Sequence, residues 1–272
     1  MDAPPTTLAP TTPAPTAPAL APPPGARIAV VGGCGGIGRA VVSALHAAGC
    51  RTMVLDLPAS IARHPPEPDV PAIALDATDE ARVAAAFARI EEMAEALDGL
   101  VNLAGFAAPK APLAETGLAA WEAVVAGNLT ATFLCLRHGL PLLRRGRHAA
   151  VVNTASGLAV KPTPGYGPYS AAKAGVLSLT RLAAQENAPL VRCNAVAPGA
   201  VDTAFLSGGT GRGGEEGAAP VRLDREAYVR TVPMGRLAEP VDVVGPILFL
   251  LGPASAYVTG QTLHVNGGLW MG

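Results

Sequence analysis

Seven short apolar runs recur along this chain, at 28–31, 52–55, 72–75, 100–103, 149–153, 191–196 and 262–265. Most are apolar at successive positions rather than at alternate ones. That pattern marks strands buried on both faces, not strands with one wet face. Longer stretches of helical character, at 37–48, 80–96, 121–143, 169–186 and 242–250, stand between most of them. Strands that alternate with helices in this way form a parallel sheet covered on both sides. The expected architecture is α/β: three layers, doubly wound, in a single domain.

Composition narrows what such a sheet can serve. Half of the residues are hydrophobic and 15% are charged, against a usual charged share of about 25%. A net charge of −1 gives no electrostatic reason for a nucleic acid or an acidic lipid surface as partner. The best candidate span, 241–258, is broken by Asp242, Pro246, Gly252 and Pro253. A bilayer-crossing helix needs about 20 nearly uninterrupted apolar residues, so no membrane partner is expected. Cys34, Cys50, Cys135 and Cys193 lie far apart with no C-x-x-C, and no histidine spacing suits a metal. Free thiols in a reducing, cytoplasmic setting follow. Residues 1–25 are a separate Pro/Ala/Thr-rich composition whose only charged side chain is Asp2. A disordered, solvated tail is expected there, ahead of a catalytic domain at 26–272.

The segment AVVGGCGGIGRA joins the first strand to the first helix. Glycines allow a tight turn and close approach of a ligand, and the helix start offers N–H groups to a pyrophosphate. The spacing is ambiguous. Gly33, Gly35 and Gly38 fit G-x-G-x-x-G; Gly32, Gly35 and Gly38 fit G-x-x-G-x-x-G; Gly32, Gly36 and Gly38 fit G-x-x-x-G-x-G. Asp56 ends the second strand, where a carboxylate accepts the ribose hydroxyls of adenosine and repels a 2′-phosphate. NAD rather than NADP is the expected cofactor, and the sheet is then of Rossmann type. A turn or cap aspartate before Leu57-Pro58 is the competing reading.

The segment YSAAK sets Tyr169 and Lys173 on one helix face. A nearby ammonium stabilises a phenolate and lowers its pKa, so this tyrosine is expected to exchange a proton with a substrate oxygen. Tyr166 has Ser170, not lysine, at that spacing.

In order, VGGCGGIG, LDATD, VNLAG, GNLTATF, VVNTASG, YSAAK, NAVAPGAVDT and TGQTLHVNGG resemble the motifs of the short-chain dehydrogenases/reductases, from about Arg27 to the C-terminus. The resemblance selects the Gly32, Gly36, Gly38 reading, with Ile37 inside it. It implies that Ser156 binds the reacting oxygen and that Tyr169 is the acid/base. Lys173 would hold the nicotinamide ribose, and Asn128 would hold a relay water. It implies cofactor contacts at Asp76 and Ala77, at Asn102, Ala104 and Gly105, and at Pro198, Gly199, Val201 and Thr203. It also implies a homotetramer built on helices 121–143 and 169–186.

This chain departs from the family pattern at Val31, where a threonine is usual, and at Leu103, the second asparagine of N-N-A-G. Asn266-Gly267-Gly268 stands for D-G-G, and the 188–194 turn is one residue short. Residues around 204–230, with the Gly-rich stretch 207–220, are expected to form a substrate lid. Leu158, Val160, Pro164, Tyr166 and Phe205 are expected pocket walls. No cluster of basic residues along the sequence announces a phosphate or coenzyme A. The leading function is an NAD-dependent dehydrogenase/reductase for a small, mostly uncharged alcohol or ketone. The alternatives are an NADPH-dependent 3-oxoacyl reductase acting on an acyl carrier, and a non-catalytic nucleotide-sensing or scaffold protein.

Overall fold

The computed structural model describes residues 18–208 and 223–271. Strands β1 (Arg27–Val31), β2 (Arg51–Asp56), β3 (Ala72–Ala74), β4 (Gly99–Asn102), β5 (Ala149–Thr154), β6 (Val191–Pro198) and β7 (Thr262–Val265) form one sheet. Their order is β3-β2-β1-β4-β5-β6-β7, and every pairing is parallel. The chain leaves β1 in one direction along the sheet and returns from β4 in the other. A crevice opens at that reversal, outside the carboxyl ends of the strands, where ligands of such sheets bind.

Helices α1 (Gly36–Ala47) and α8 (Pro240–Leu251) cover one face. Helices α3 (Glu80–Ala94), α5 (Ala131–Leu143) and α6 (Gly167–Asn187) cover the other. Successive β1 side chains divide between the two layers. Ile28 and Val30 pack with Val41 and Ile247, and Ala29 and Val31 with Phe87 and Leu134. This accounts for the continuous apolar runs: both sides of each central strand are core.

Three elements differ from the sequence reading. Helix α2 (Pro58–Arg63) was not expected; Pro58 opens it, where the missing N–H costs nothing. Helix α7 (Arg225–Val229) starts at Asp224, whose side chain accepts from Ala227 N at 2.9 Å. The expected helix 121–143 starts earlier and is interrupted: α4 (Leu118–Val125) passes through a π turn, Ala126–Thr130, into α5. By length and mean hydropathy of 1.4, Leu118–Leu143 is long and apolar enough to cross a membrane, although the expected candidate lay at 241–258. In the fold, its inner face packs on α3, α6 and β4.

The segment ahead of β1 is seated where it is described. Ala19 O accepts from Ala254 N at 3.1 Å, Gly25 N donates to Gly49 O at 2.7 Å, and Pro22 is buried. The rest of the expected tail, 1–17, lies outside the described residues. At the end of the sheet away from the crevice, Arg27 and Arg147 N both bind Asp98, joining the starts of β1, β4 and β5.

Candidate active site

The crevice contains a cavity of about 820 Å³, and one end of it is made of backbone. Gly32 has φ +81°, and a Cβ there would lie 2.7 Å from Ala104 N, where the ends of β1 and β4 come together. A Cβ on Gly36 would meet Thr203 Cγ2 at 2.5 Å, and one on Gly38 would strike Gly32 O. Gly35 meets only Gly32 O, at 3.3 Å. A Cβ is thus excluded at 32, 36 and 38, Gly33 is tight as well, with Val54 Cγ1 at 2.9 Å, and Gly35 is the least constrained of the five. Ile37 lines the cavity and also packs toward the α1–α8 core.

Asp56 stands at the cavity wall with its carboxylate already engaged. It accepts from Cys34 N at 2.8 Å and from Leu57 N at 2.7 Å, and Ser60 adds a side-chain hydrogen bond. Burial pushes its pKa up, and these hydrogen bonds oppose the rise. The two sequence readings of Asp56 are thus compatible: it clamps the glycine turn to β2 and also faces the cavity. Asp76, Ala77, Ala104 and Gly105 line the same wall. Asp76 accepts from Thr78 N at 3.0 Å and from Thr78 Oγ1 at 2.7 Å.

Asn102 is not on the wall. Its Nδ2 donates to Asn153 Oδ1 at 2.8 Å, and Asn153 donates to Thr180 Oγ1 at 3.0 Å. This buried polar chain runs from β4 through β5 to α6. It makes Asn102 a cross-strand link and not a cavity residue. Leu103 takes a place on the wall instead, and the polar link between strands is carried by Asn102.

The other end is made of side chains. Ser156 follows β5, and its Oγ accepts from Leu158 N at 3.2 Å. It also hydrogen-bonds the Tyr169 phenol, which rises from the first turn of α6. Lys173, one turn further on, donates from Nζ to Thr154 O at 2.8 Å and stands 5.7 Å from the Tyr169 ring centroid. Burial pushes the phenol up to about 12, the Ser156 hydrogen bond opposes that, and nearby Tyr166 adds to it. Burial also pulls Lys173 down to about 8. In this geometry burial sets the direction for the phenol, and Lys173 is turned toward the Thr154 carbonyl.

Asn128 sits in the π turn and is fully buried, behind the wall and not on it. Its Nδ2 donates to Phe106 O at 2.7 Å and to Val124 O at 2.9 Å. Its Oδ1 has no hydrogen-bond partner among the described residues. A Cβ on Gly105 would strike that oxygen and lie 3.3 Å from Lys173 Nζ, so Asn128 and Lys173 converge on Gly105.

The third wall follows β6. Pro198, Gly199, Val201 and Thr203 all line the cavity. Tyr228 of α7 accepts Ala200 N on its hydroxyl at 2.9 Å and pins this turn, a contact that nothing in the local sequence announces. Leu158, Tyr166 and Phe205 are wall residues, and the Phe205 ring lies 5.8 Å from that of Tyr169. Val160 and Pro164 are not: the turn at Gly157–Ala159 carries them to the exposed outside. Trp270 lines the cavity unexpectedly, held by Asn266 Nδ2 on its carbonyl at 2.9 Å. Of the expected lid, 209–222 lies outside the described residues. At its base, Asp202 and Arg225 pair through two contacts of 2.9 and 2.5 Å.

A dinucleotide fits these residues. The glycine turn is a cradle that a Cβ would fill, Asp56 faces its far side, and a buried lysine stands at the other end. The profile described as Enoyl-(Acyl carrier protein) reductase matches residues 32–270. A cis-4-hydroxycyclohexanecarboxylate dehydrogenase from Sinomonas cyclohexanicum is 41% identical, over 71% of this chain and 74% of that one. A 2,5-dichloro-2,5-cyclohexadiene-1,4-diol dehydrogenase from Sphingobium indicum is 34% identical, over 90% and 96%. Among solved structures, the 3-ketoacyl-(acyl-carrier-protein) reductase of Brucella melitensis in complex with NADH superposes with a TM-score of 0.81 at 26% identity, covering 91% of this chain and 99% of that one.

Proposed function

We propose, because the chain belongs to the short-chain dehydrogenase/reductase family of nicotinamide-dependent oxidoreductases, that it moves a hydride between NAD(H) and the hydroxyl or ketone group of a small substrate. The observation that carries this reading is the Ser156–Tyr169 hydrogen bond, set in the cavity whose other end is the glycine turn. When bound, the nicotinamide supplies or accepts the hydride.

The chain's own residues bind, orient and manage the proton. Ser156 holds the substrate oxygen beside Tyr169. With its pKa near 12 the phenol keeps its proton at neutral pH, so it can donate to a carbonyl oxygen as an alcohol forms. Lys173 would hold the nicotinamide ribose, and its charge would lower the cost of the phenolate left behind. The partnerless Asn128 Oδ1, beside Lys173 at Gly105, suits a relay water. Asp56 would take the adenosine ribose hydroxyls, which supports NAD over NADP.

Two dehydrogenases among the relatives are named for ring alcohols, which supports a small alcohol or ketone as substrate class. The family profile and the Brucella structure favour a second reading, a 3-oxoacyl reductase on an acyl carrier. The four cysteines are free and buried, in keeping with a cytoplasmic enzyme. Exposed Leu118 and Phe133 on α4 and α5, with Leu182 on α6, support a homotetramer formed through those helices.

Fluorescence titration with NADH and NADPH, followed by an alcohol and ketone panel, tests the reading. Tighter binding of NADPH overturns the role given to Asp56. A panel with no turnover on either cofactor overturns the activity.

A further inference from the structure

The chain has twenty cationic residues besides histidine, and only Lys110, Lys161 and Lys173 are lysines. All three line the same cavity. Lys173 belongs to the acid–base apparatus; the other two have no part in it. Lys110 lies in the loop after β4 and Lys161 in the loop after β5, so the fold alone brings them to one site.

Both are set by backbone next to the reacting groups. Ala111 bridges to Tyr166, and its N–H reaches Gly165 O at 3.3 Å. Lys110 Nζ then stands over the Tyr166 ring, 5.1 Å from its centroid. Lys161 N donates to Gly157 O at 3.0 Å, in the turn that Ser156 opens. Among the described residues neither lysine makes an ion pair. The wall acid on this side, Asp202, is taken by both nitrogens of Arg225. Asp56 and Asp76 lie at the other end, after β2 and β3. The surrounding wall is apolar and aromatic: Leu158, Phe205, Trp270. Among the described residues, the substrate end therefore carries two positive charges without an ion-pair partner, on exposed, well-hydrated side chains, which an anion can meet without first being stripped of water.

We infer that the substrate carries a carboxylate, held at the cavity mouth by Lys110 and Lys161, on a small ring or chain whose hydroxyl or ketone reaches Tyr169. This names the substrate class within the proposed function and rests on it. It replaces the expectation of a mostly uncharged substrate.

The test compares matched ketones on the full chain with saturating cofactor. The pairs are 4-oxocyclohexanecarboxylate and 4-oxopentanoate, each against its methyl ester. The wild type is expected to favour the carboxylates by about tenfold or more in kcat/KM, through KM, with the preference shrinking as salt is raised. Lys110→Gln and Lys161→Gln are each expected to lower the carboxylate-to-ester ratio by about three- to tenfold, and the arginine variants to restore most of it. The unreactive cyclohexanecarboxylate is expected to inhibit competitively, with a Ki that rises in the same two glutamine variants. A carboxylate-to-ester ratio near one in the wild type at low salt overturns the inference. So does an equal loss on both members of a pair, or faster turnover of a 3-oxoacyl thioester on an acyl carrier protein. Turnover of the esters without carboxylate preference leaves the proposed function standing, whereas no turnover of any ketone overturns that function instead.

Discussion

The two ends of the crevice are built from different materials. The Gly32–Gly38 end is shaped by main chain packed against main chain and, at Gly36, against the Thr203 side chain, and at Gly32, Gly36 and Gly38 there is no room for one more carbon. The Tyr169 end is shaped by ionisable side chains that burial holds away from their ordinary pKa values, the phenol near 12 and the ammonium near 8. The first end is sensitive to added atoms and the second to removed groups. Damage at the first should appear as lost cofactor binding, and damage at the second as lost chemistry with binding intact.

The sharpest way to break that contrast is Tyr169→Phe. Steady-state kinetics should show kcat lower by about a thousandfold, the scale of a lost general acid, while fluorescence titration leaves the NADH Kd within about twofold. Equal losses in both would merge the two ends into one. Gly38→Ala is the counterpart. Its Cβ would strike Gly32 O, and displacing the turn should raise the NADH Kd by about a hundredfold, a cost of about 3 kcal/mol. A fold that melts normally but binds NADH as before would show that the turn yields easily.

Lys173→Met probes the cost of the buried ammonium. Below about pH 8, folded and unfolded chains both hold the lysine's proton, and the fold bears the full cost of burying the charge. Between about 8 and 10.5 the folded chain has released the proton and the unfolded chain keeps it, so stability rises with pH; above 10.5 the cost is gone. Replacement by methionine should therefore stabilise the protein at pH 7 by on the order of 2 kcal/mol, an advantage that disappears by pH 10.5. Chemical denaturation across that range checks it, and a pH-independent difference would count against the buried charge. Asp56→Ala carries the smallest effect. It should weaken NADH about tenfold relative to NADPH, the scale of a hydrogen bond to a charged group. An unchanged ratio would leave Asp56 as the clamp on Cys34 N alone.

The sheet was legible in the sequence because continuous apolar runs record burial on both faces of a strand. The Tyr169, Lys173 pair was legible because four residues make one helix turn, whereas Ser156, thirteen residues earlier and on another element, came only from the family resemblance. What depends on distant segments was not. Asn102 sits at the family position, but its side chain points toward Asn153, and a motif does not give the direction of a side chain. Lys110 and Lys161 form no sequence cluster and reach one cavity from the separate loops after β4 and β5. Tyr228 reaches Ala200 from beyond the Gly-rich stretch, and Val160 and Pro164 are carried outward by the Gly157–Ala159 turn.

Between Ala126 and Thr130 the main chain takes one residue too many for an α-helix, with Ala131 N reaching back to Ala126 O. Upstream and downstream of that point the helix runs out of phase with itself. Winding the same residues of 118–143 as one uniform α-helix would rotate everything beyond that point by about 100°. Leu134 and Cys135 would then leave the core they now fill. The wide turn is thus the fold's frame correction, because it takes up one extra residue and lets α5 pack where it does.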